Sequence, residues 1–169
     1  MLNQDKIKIY YFQFTDIWKL HCELHSELFD LTCDEYMHLL SSNLDELEIT
    51  VADKNTKIEQ IRMNDLERES LLEKISIDFP EQKMNSISNI IEFFKDFTPE
   101  KESKHLYRFN ELLIDIVSKI QAQNKKNQLF INKALSSLRQ IREEATGKKS
   151  VTTYNSKGLS NNRLMTNNP

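Results

Sequence analysis

Glycine is almost missing from this chain of 169 residues: it occurs twice, at Gly147 and Gly158, and nowhere upstream of residue 147. Tight hairpins, phosphate-cradling loops and dinucleotide fingerprints need glycine where the backbone takes positive φ or approaches a ligand closely. Those chemistries are excluded from everything before Gly147. Internal proline is confined to Pro80 and Pro99, so long helices can run between few breaks. A basic surplus is absent as well: the net charge is -3 and the pI about 5.9. Such a balance offers neither the counterion-releasing field that nucleic acid requires nor a polybasic helix for an anionic membrane. No apolar run approaches the roughly 20 residues of a spanning helix. The stretch Met1–Phe14 mixes Asp5, Lys6 and Lys8 with aromatics, unlike a signal peptide. The expectation is a cytoplasmic protein without membrane insertion. Cys22 and Cys33 are the only cysteines; on one helix they lie about 16 Å apart, too far to bridge, and reduced thiols suit that compartment.

What remains is helix. With 38% hydrophobic and 29% charged residues, the chain suits narrow apolar stripes on a single helical domain. The fold class expected is all-α, an elongated antiparallel helical bundle or long helical hairpin over 1–146, with a flexible, disordered C-terminal tail over 147–169. Thr15 reads as the N-cap of a helix over about 15–41. Its apolar positions Ile17, Leu20, Leu24, Leu28 and Leu31 are flanked by a second stripe through Trp18, Cys22, His25, Phe29, Cys33, Tyr36 and Leu40. Asn43 and Glu46 are spaced as a capping pair for a second helix, about 44–77.

That second helix carries a heptad. Leu44, Val51, Ile58, Asp65 and Leu72 recur every seven residues, followed three behind by Leu47, Lys54, Ile61, Arg68 and Ile75, a pattern that predicts a seam. Lys54, Asp65 and Arg68 on that seam predict ion pairs. A short amphipathic helix is expected over about 81–96. Thr98, Pro99 and Glu100 then read as the start of a long helix, 99–146, combining a capping hydroxyl, a proline in the first turn and an early acid. Its face runs through Leu106, Phe109, Leu113, Ile116 and Ile120 to Phe130, Ile131, Leu135, Leu138 and Ile141. Asn127 falls at heptad spacing from Ile120, where a buried asparagine would fix register. Gly147 reads as a left-handed C-cap.

Three segments taken together resemble the FlgN family of flagellar export chaperones. WKLHCELHSELFDLTCDEYMHLL followed by NLDELEITVADKNTKIEQI, with Lys54 and Arg68, is similar to the family's long N-terminal hairpin. NQLFINKALSSLRQI in the last helix is similar to its asparagine-marked, leucine-rich helix. TYNSKG, from Thr153 to Gly158, resembles its aromatic-then-glycine motif. The segment IKIYYFQF has no such counterpart. The resemblance implies a chaperone for hook-filament junction proteins of the FlgK/FlgL type, bound through Asn127, Phe130, Ile131, Leu135, Leu138 and Ile141. It also implies docking to the export gate protein FlhA through Tyr154 and Gly158.

Blander readings stand beside each of these. The distal stripe could complete the protein's own core or a homodimer, which would make the chain a homodimeric structural coiled-coil adaptor. Tyr154 could be a stray aromatic. His21, Cys22 and His25 share a helix face at metal-ligand spacing, yet Cys22 and His25 also fall on the apolar stripe, where a packed thiol and a hydrogen-bonded imidazole are commoner. No nucleophile elbow, Ser, His and Asp constellation or carboxylate dyad stands out. No metal, cofactor, small-molecule substrate or enzymatic activity is expected.

Overall fold

The computed structural model describes residues 2–147, 150–154 and 160–164, with side chains described for residues 4–147. Five helices follow in order: α1 (Leu2–Ser41), α2 (Leu44–Asp78), α3 (Ile87–Phe94), α4 (Thr98–Ser103) and α5 (His105–Thr146). The chain forms two compact units, Met1–Lys126 and Asn127–Pro169. In the first, α1 and α2 form an antiparallel hairpin, and α5 as far as Lys126 runs parallel to α1.

Where the sequence suggested that a helix starts at Thr15, α1 is already well under way. The Thr15 hydroxyl donates back to the Tyr11 carbonyl at 2.8 Å, the bond such a residue makes inside a helix in place of a cap. Tertiary packing sets the earlier start. Tyr11 and Phe14 are completely buried and join Trp18, Leu71, Ile75, Ile90, Phe94 and Leu106 in the main core. Phe14 stacks on Trp18 with centroids 4.9 Å apart, and Tyr11 meets Phe94 edge-on at 5.6 Å. Lys6 and Tyr10 reach the end of α2, at 2.8 and 2.6 Å from the Asp78 carboxylate. Of the segment IKIYYFQF, Tyr11 and Phe14 thus enter the core and Ile7 and Tyr10 pack against it, while Ile9 and Phe12 stay exposed.

Along the rest of the hairpin, ion pairs replace much of the apolar seam. Glu35 pairs with Lys54 and Glu27 with Lys57. A second small cluster, Leu28 with Ile116 and Ile120, closes against Phe29 and Ile61. The heptad of α2 sits one position away from the expected phase. Thr50, Asn64 and Leu71 are buried, whereas Leu44, Val51 and Ile58 are 72%, 39% and 50% exposed. The line Leu47–Lys54–Ile61–Arg68–Ile75 does face inward, but its companion is the line through Thr50, Lys57, Asn64 and Leu71. Burial of Leu71 and Ile75 at the aromatic end fixes the helix rotation, and the ion pairs hold it at the other end.

The Asn43 side chain accepts from the Glu46 N–H, as the capping pair predicts. The third helix is shorter than 81–96: Ser86 caps it by accepting from the Asn89 N–H at 3.2 Å. The expected single helix 99–146 is divided. Lys104 takes a left-handed φ of 52°, ending α4 one residue before α5. Phe97, not Thr98, occupies the N-cap of α4 and makes no side-chain capping bond. Gly147, at φ 63°, closes α5 through its N–H to Glu143 O at 3.0 Å. Past it, where the sequence leads one to expect a tail without regular structure, β1 (Ser150–Tyr154) pairs antiparallel with β2 (Ser160–Leu164), Tyr154 opposite Ser160. The fold is all-α as expected, its body made of the five helices, with β1 and β2 only a short pair past Gly147. No described helix is long and apolar enough to cross a membrane.

Candidate functional site

The last helix changes character along its length. Leu106, Ile116 and Ile120 are at most 9% exposed, because the first half of α5 supplies one wall of both apolar clusters. Its start is positioned by Glu100: the buried carboxylate accepts from the Leu106 N–H and the Tyr11 hydroxyl at 3.0 Å and from the Tyr107 N–H at 3.3 Å. An anion is thereby set on the first turn, where free N–H groups and the helix dipole favour it. Burial and the bond to Glu100 push the Tyr11 hydroxyl up to about 12, so Tyr11 stays a donor.

Beyond Lys126 the expected client-binding residues divide by exposure. Asn127 is buried, Phe130 and Ile131 are half-buried, and Leu135, Leu138 and Ile141 are 48%, 63% and 61% exposed. At 100° per residue, Phe130, Ile131, Leu135, Leu138 and Ile141 fall within one face about 140° wide. From Asn132 to Gly147 every side chain but Glu143 is exposed. A regular helix therefore presents aliphatic side chains to solvent over several turns, the surface expected of a docking face.

The family model for FlgN protein matches residues 10–162. The chain belongs to the FlgN family. No curated protein and no solved structure matches it. FlgN proteins are chaperones of flagellar type III export. The FlgN match runs from Tyr10 in α1 through all later helices and into β2, so it takes in both the hairpin and the distal helix on which the resemblance rested. Tyr154 ends β1, but its side chain and the whole of Gly158 lie outside the described residues.

The remaining chemistry-bearing side chains serve packing in this FlgN fold. The Cys22 thiol, pushed up to about 11 by burial, donates to Phe109 O at 3.4 Å, and burial also raises Cys33. His25 donates from Nδ1 to His21 O at 2.8 Å. His21 accepts at Nδ1 from the Asn64 amide at 2.9 Å, and the same amide donates to Ile17 O at 3.2 Å. Among the described residues no three His, Cys, Asp or Glu side chains gather as metal ligands. A groove of about 500 Å³ between α1 and α2, lined by Ile17, Met63, Leu66 and Leu71 among others, is shallow and open. Sequence reasoning did not find the exposed line on α2, since a heptad gives the period of a stripe and not its rotation about the axis.

Proposed function

We propose that this FlgN-family chain is a cytoplasmic carrier for hook-filament junction proteins of the FlgK/FlgL type, holding them through the distal face of α5 and delivering them to the export gate. The observation that carries the reading is the exposure of Leu135, Leu138 and Ile141 on one helical face. A client's terminal helix laid along that face would bury aliphatic surface on both partners, at about 25 cal/mol per Å² removed from water. That gain opposes the cost of ordering a flexible client. Asn127, being buried, acts in this reading by holding the register of α5, while Phe130 and Ile131 form the near edge of the face. Binding of this kind calls for no cofactor, metal or small-molecule substrate, and no nucleic acid or membrane enters it.

The test is complex formation with a purified hook-filament junction protein, followed by size-exclusion chromatography. Replacing Leu135, Leu138 and Ile141 together by serine should abolish the complex while helicity is retained. An undiminished complex would overturn the reading. Docking at the gate is assigned to Tyr154 and Gly158, the aromatic and the glycine of the tail motif. Tyr154→Ala is expected to leave client binding unchanged and to weaken binding to FlhA; equal gate affinity for both forms would refute that role.

A further inference from the structure

The hairpin of α1 and α2 turns one side to α5 and leaves another uncovered. On the covered side the Cys22 thiol donates to Phe109 O, and Phe29 closes on Ile116 and Ile120. About 160° round α1 from Cys22 stands Leu20, 42% exposed, and α2 contributes Met63 and Leu66 at 49% and 45%. These side chains line the groove of about 500 Å³ and a second hollow of about 390 Å³ that shares Met63 and Glu67 with it. A third, of about 400 Å³, opens one turn further on, at Glu27 and Leu31. Together they make a furrow whose α1 wall runs from Gln13 to Leu31, about 27 Å at 1.5 Å per residue. Its edges carry six carboxylates and two lysines. Glu27 is paired with Lys57 and Glu59 with Arg62. That leaves Asp16, Asp30, Asp53 and Glu67, all exposed and in no ion pair among the described residues, against Lys74 alone.

We infer that this furrow seats an amphipathic helix of a different protein, one whose apolar face is flanked by lysine and arginine. An apolar strip sunk between two packed helices is where a third helix nests, and helix-in-groove recognition reads it through anchors spaced along one face. The charge at the edges decides which helix. Four carboxylates without a cation repel an acidic helix and draw a basic one into register. Lysine and arginine fit the surface for a second reason: their stems can lie over Leu20, Met63 and Leu66 while their heads reach Asp16, Asp30, Asp53 and Glu67. The thioether of Met63, at the middle of the furrow, adapts to the side chain set against it. The distal part of α5 has the opposite character, because between Asp115 and Glu143 every charged side chain is basic, six in all. The two surfaces share no residue and call for partners of opposite charge. The inference stands on the furrow alone and does not require the carrier reading.

The probe is a synthetic helix of about 18 residues, the length of the furrow, with leucines on one face and lysines beside them; a copy with glutamate for lysine is its counterpart. Fluorescence anisotropy of the labelled peptides, titrated with the purified full chain, reads binding. The lysine helix should bind with a dissociation constant that rises with added salt, and the glutamate helix about tenfold or more weaker. Asp30→Lys with Glu67→Lys should weaken the lysine helix by about tenfold or more and shift preference toward the glutamate helix. Leu20→Gln with Met63→Gln should weaken both, with helicity unchanged by circular dichroism. Glu81→Lys with Glu111→Lys alters the net charge equally but away from the furrow, and should leave the affinity unchanged. No binding of the lysine helix overturns the inference, as does equal affinity for both helices or a loss as large with the distant pair as with the furrow pair. Sedimentation velocity covers the remaining occupant: a self-associated form dissolved by Asp30→Lys with Glu67→Lys would give the furrow to a second copy and overturn the inference as well.

Discussion

His21 is held by its surroundings in one protonation state. Its Nδ1 accepts from Asn64, whose amide hydrogens are divided between that nitrogen and Ile17 O. A proton arriving at Nδ1 would face an N–H and break the link between α1 and α2. Burial, reinforced by His25 and Arg68 and opposed by Asp65, pulls its pKa down from 6.5 to about 4. The unfolded chain takes up that proton near 6.5 and the folded chain only near 4, so the stabilisation from a neutral His21 is complete above pH 6.5. It is lost as the pH falls from there through 4. Urea midpoints measured between pH 7 and 4 should therefore decline, and His21→Gln should flatten that decline. A parallel decline in both proteins would show that other groups cause it. This pairing was not legible in the sequence: His21 and Asn64 belong to different helices, and a lone histidine beside Cys22 and His25 suggests a metal face as readily as a buried acceptor.

Among the elements, the clearest departure from sequence logic is the break at Lys104. Nothing about a lysine announces a left-handed residue, and Thr98–Pro99–Glu100 reads as a helix start without suggesting that the helix ends five residues on. The reason is Glu100, whose carboxylate reaches past the end of α4 to cap α5 and receive the Tyr11 hydroxyl. Glu100→Ala would strand the Leu106 and Tyr107 N–H groups and leave the Tyr11 hydroxyl only His105 Nδ1, 3.3 Å away, at a cost of about 2–4 kcal/mol; Glu100→Gln should cost less. Urea unfolding measures both, and an alanine variant as stable as the wild type would show that α5 needs no such cap. What the sequence did make legible is local: the Asn43 cap, the end of α2 near Pro80 and the Gly147 cap each depend on neighbours within a few residues. The start of α1 and the rotation of α2 depend on Tyr11, Phe14, Leu71 and Ile75 meeting across the fold. Periodicity carries no record of those meetings. The distal stripe of α5 was legible as a stripe, and its exposure follows from the want of a described partner for Leu135, Leu138 and Ile141.

For the molecule as a whole, the contrast within α5 should appear in the rates at which its backbone exchanges hydrogen. Amides from Leu106 to Ile120 lie in turns whose side chains enter two apolar clusters. Those from Asn132 to Thr146 lie in turns whose side chains are almost all in water. Local opening needs least free energy where few apolar contacts must be broken. Deuterium should therefore enter the distal amides well before the proximal ones, and a bound client should slow them. Equal protection along the whole helix would count against an uncovered face.

The inverted polarity of α2's first half has a consequence for solvent conditions. Thr50 and Lys57 point inward there while Leu44, Val51 and Ile58 point out, so closing that half of the hairpin relies on Glu35 with Lys54 and Glu27 with Lys57. At the opposite end the interlocked rings of Tyr11, Phe14, Trp18 and Phe94 do that work. Dissolved ions weaken attraction between charges that water reaches, as at the exposed Glu27, more than at the sheltered Glu35–Lys54 pair, and leave aromatic packing almost untouched. Brine should thus loosen the turn of the hairpin first, making ionic strength, more than heat, the variable that tells its two ends apart.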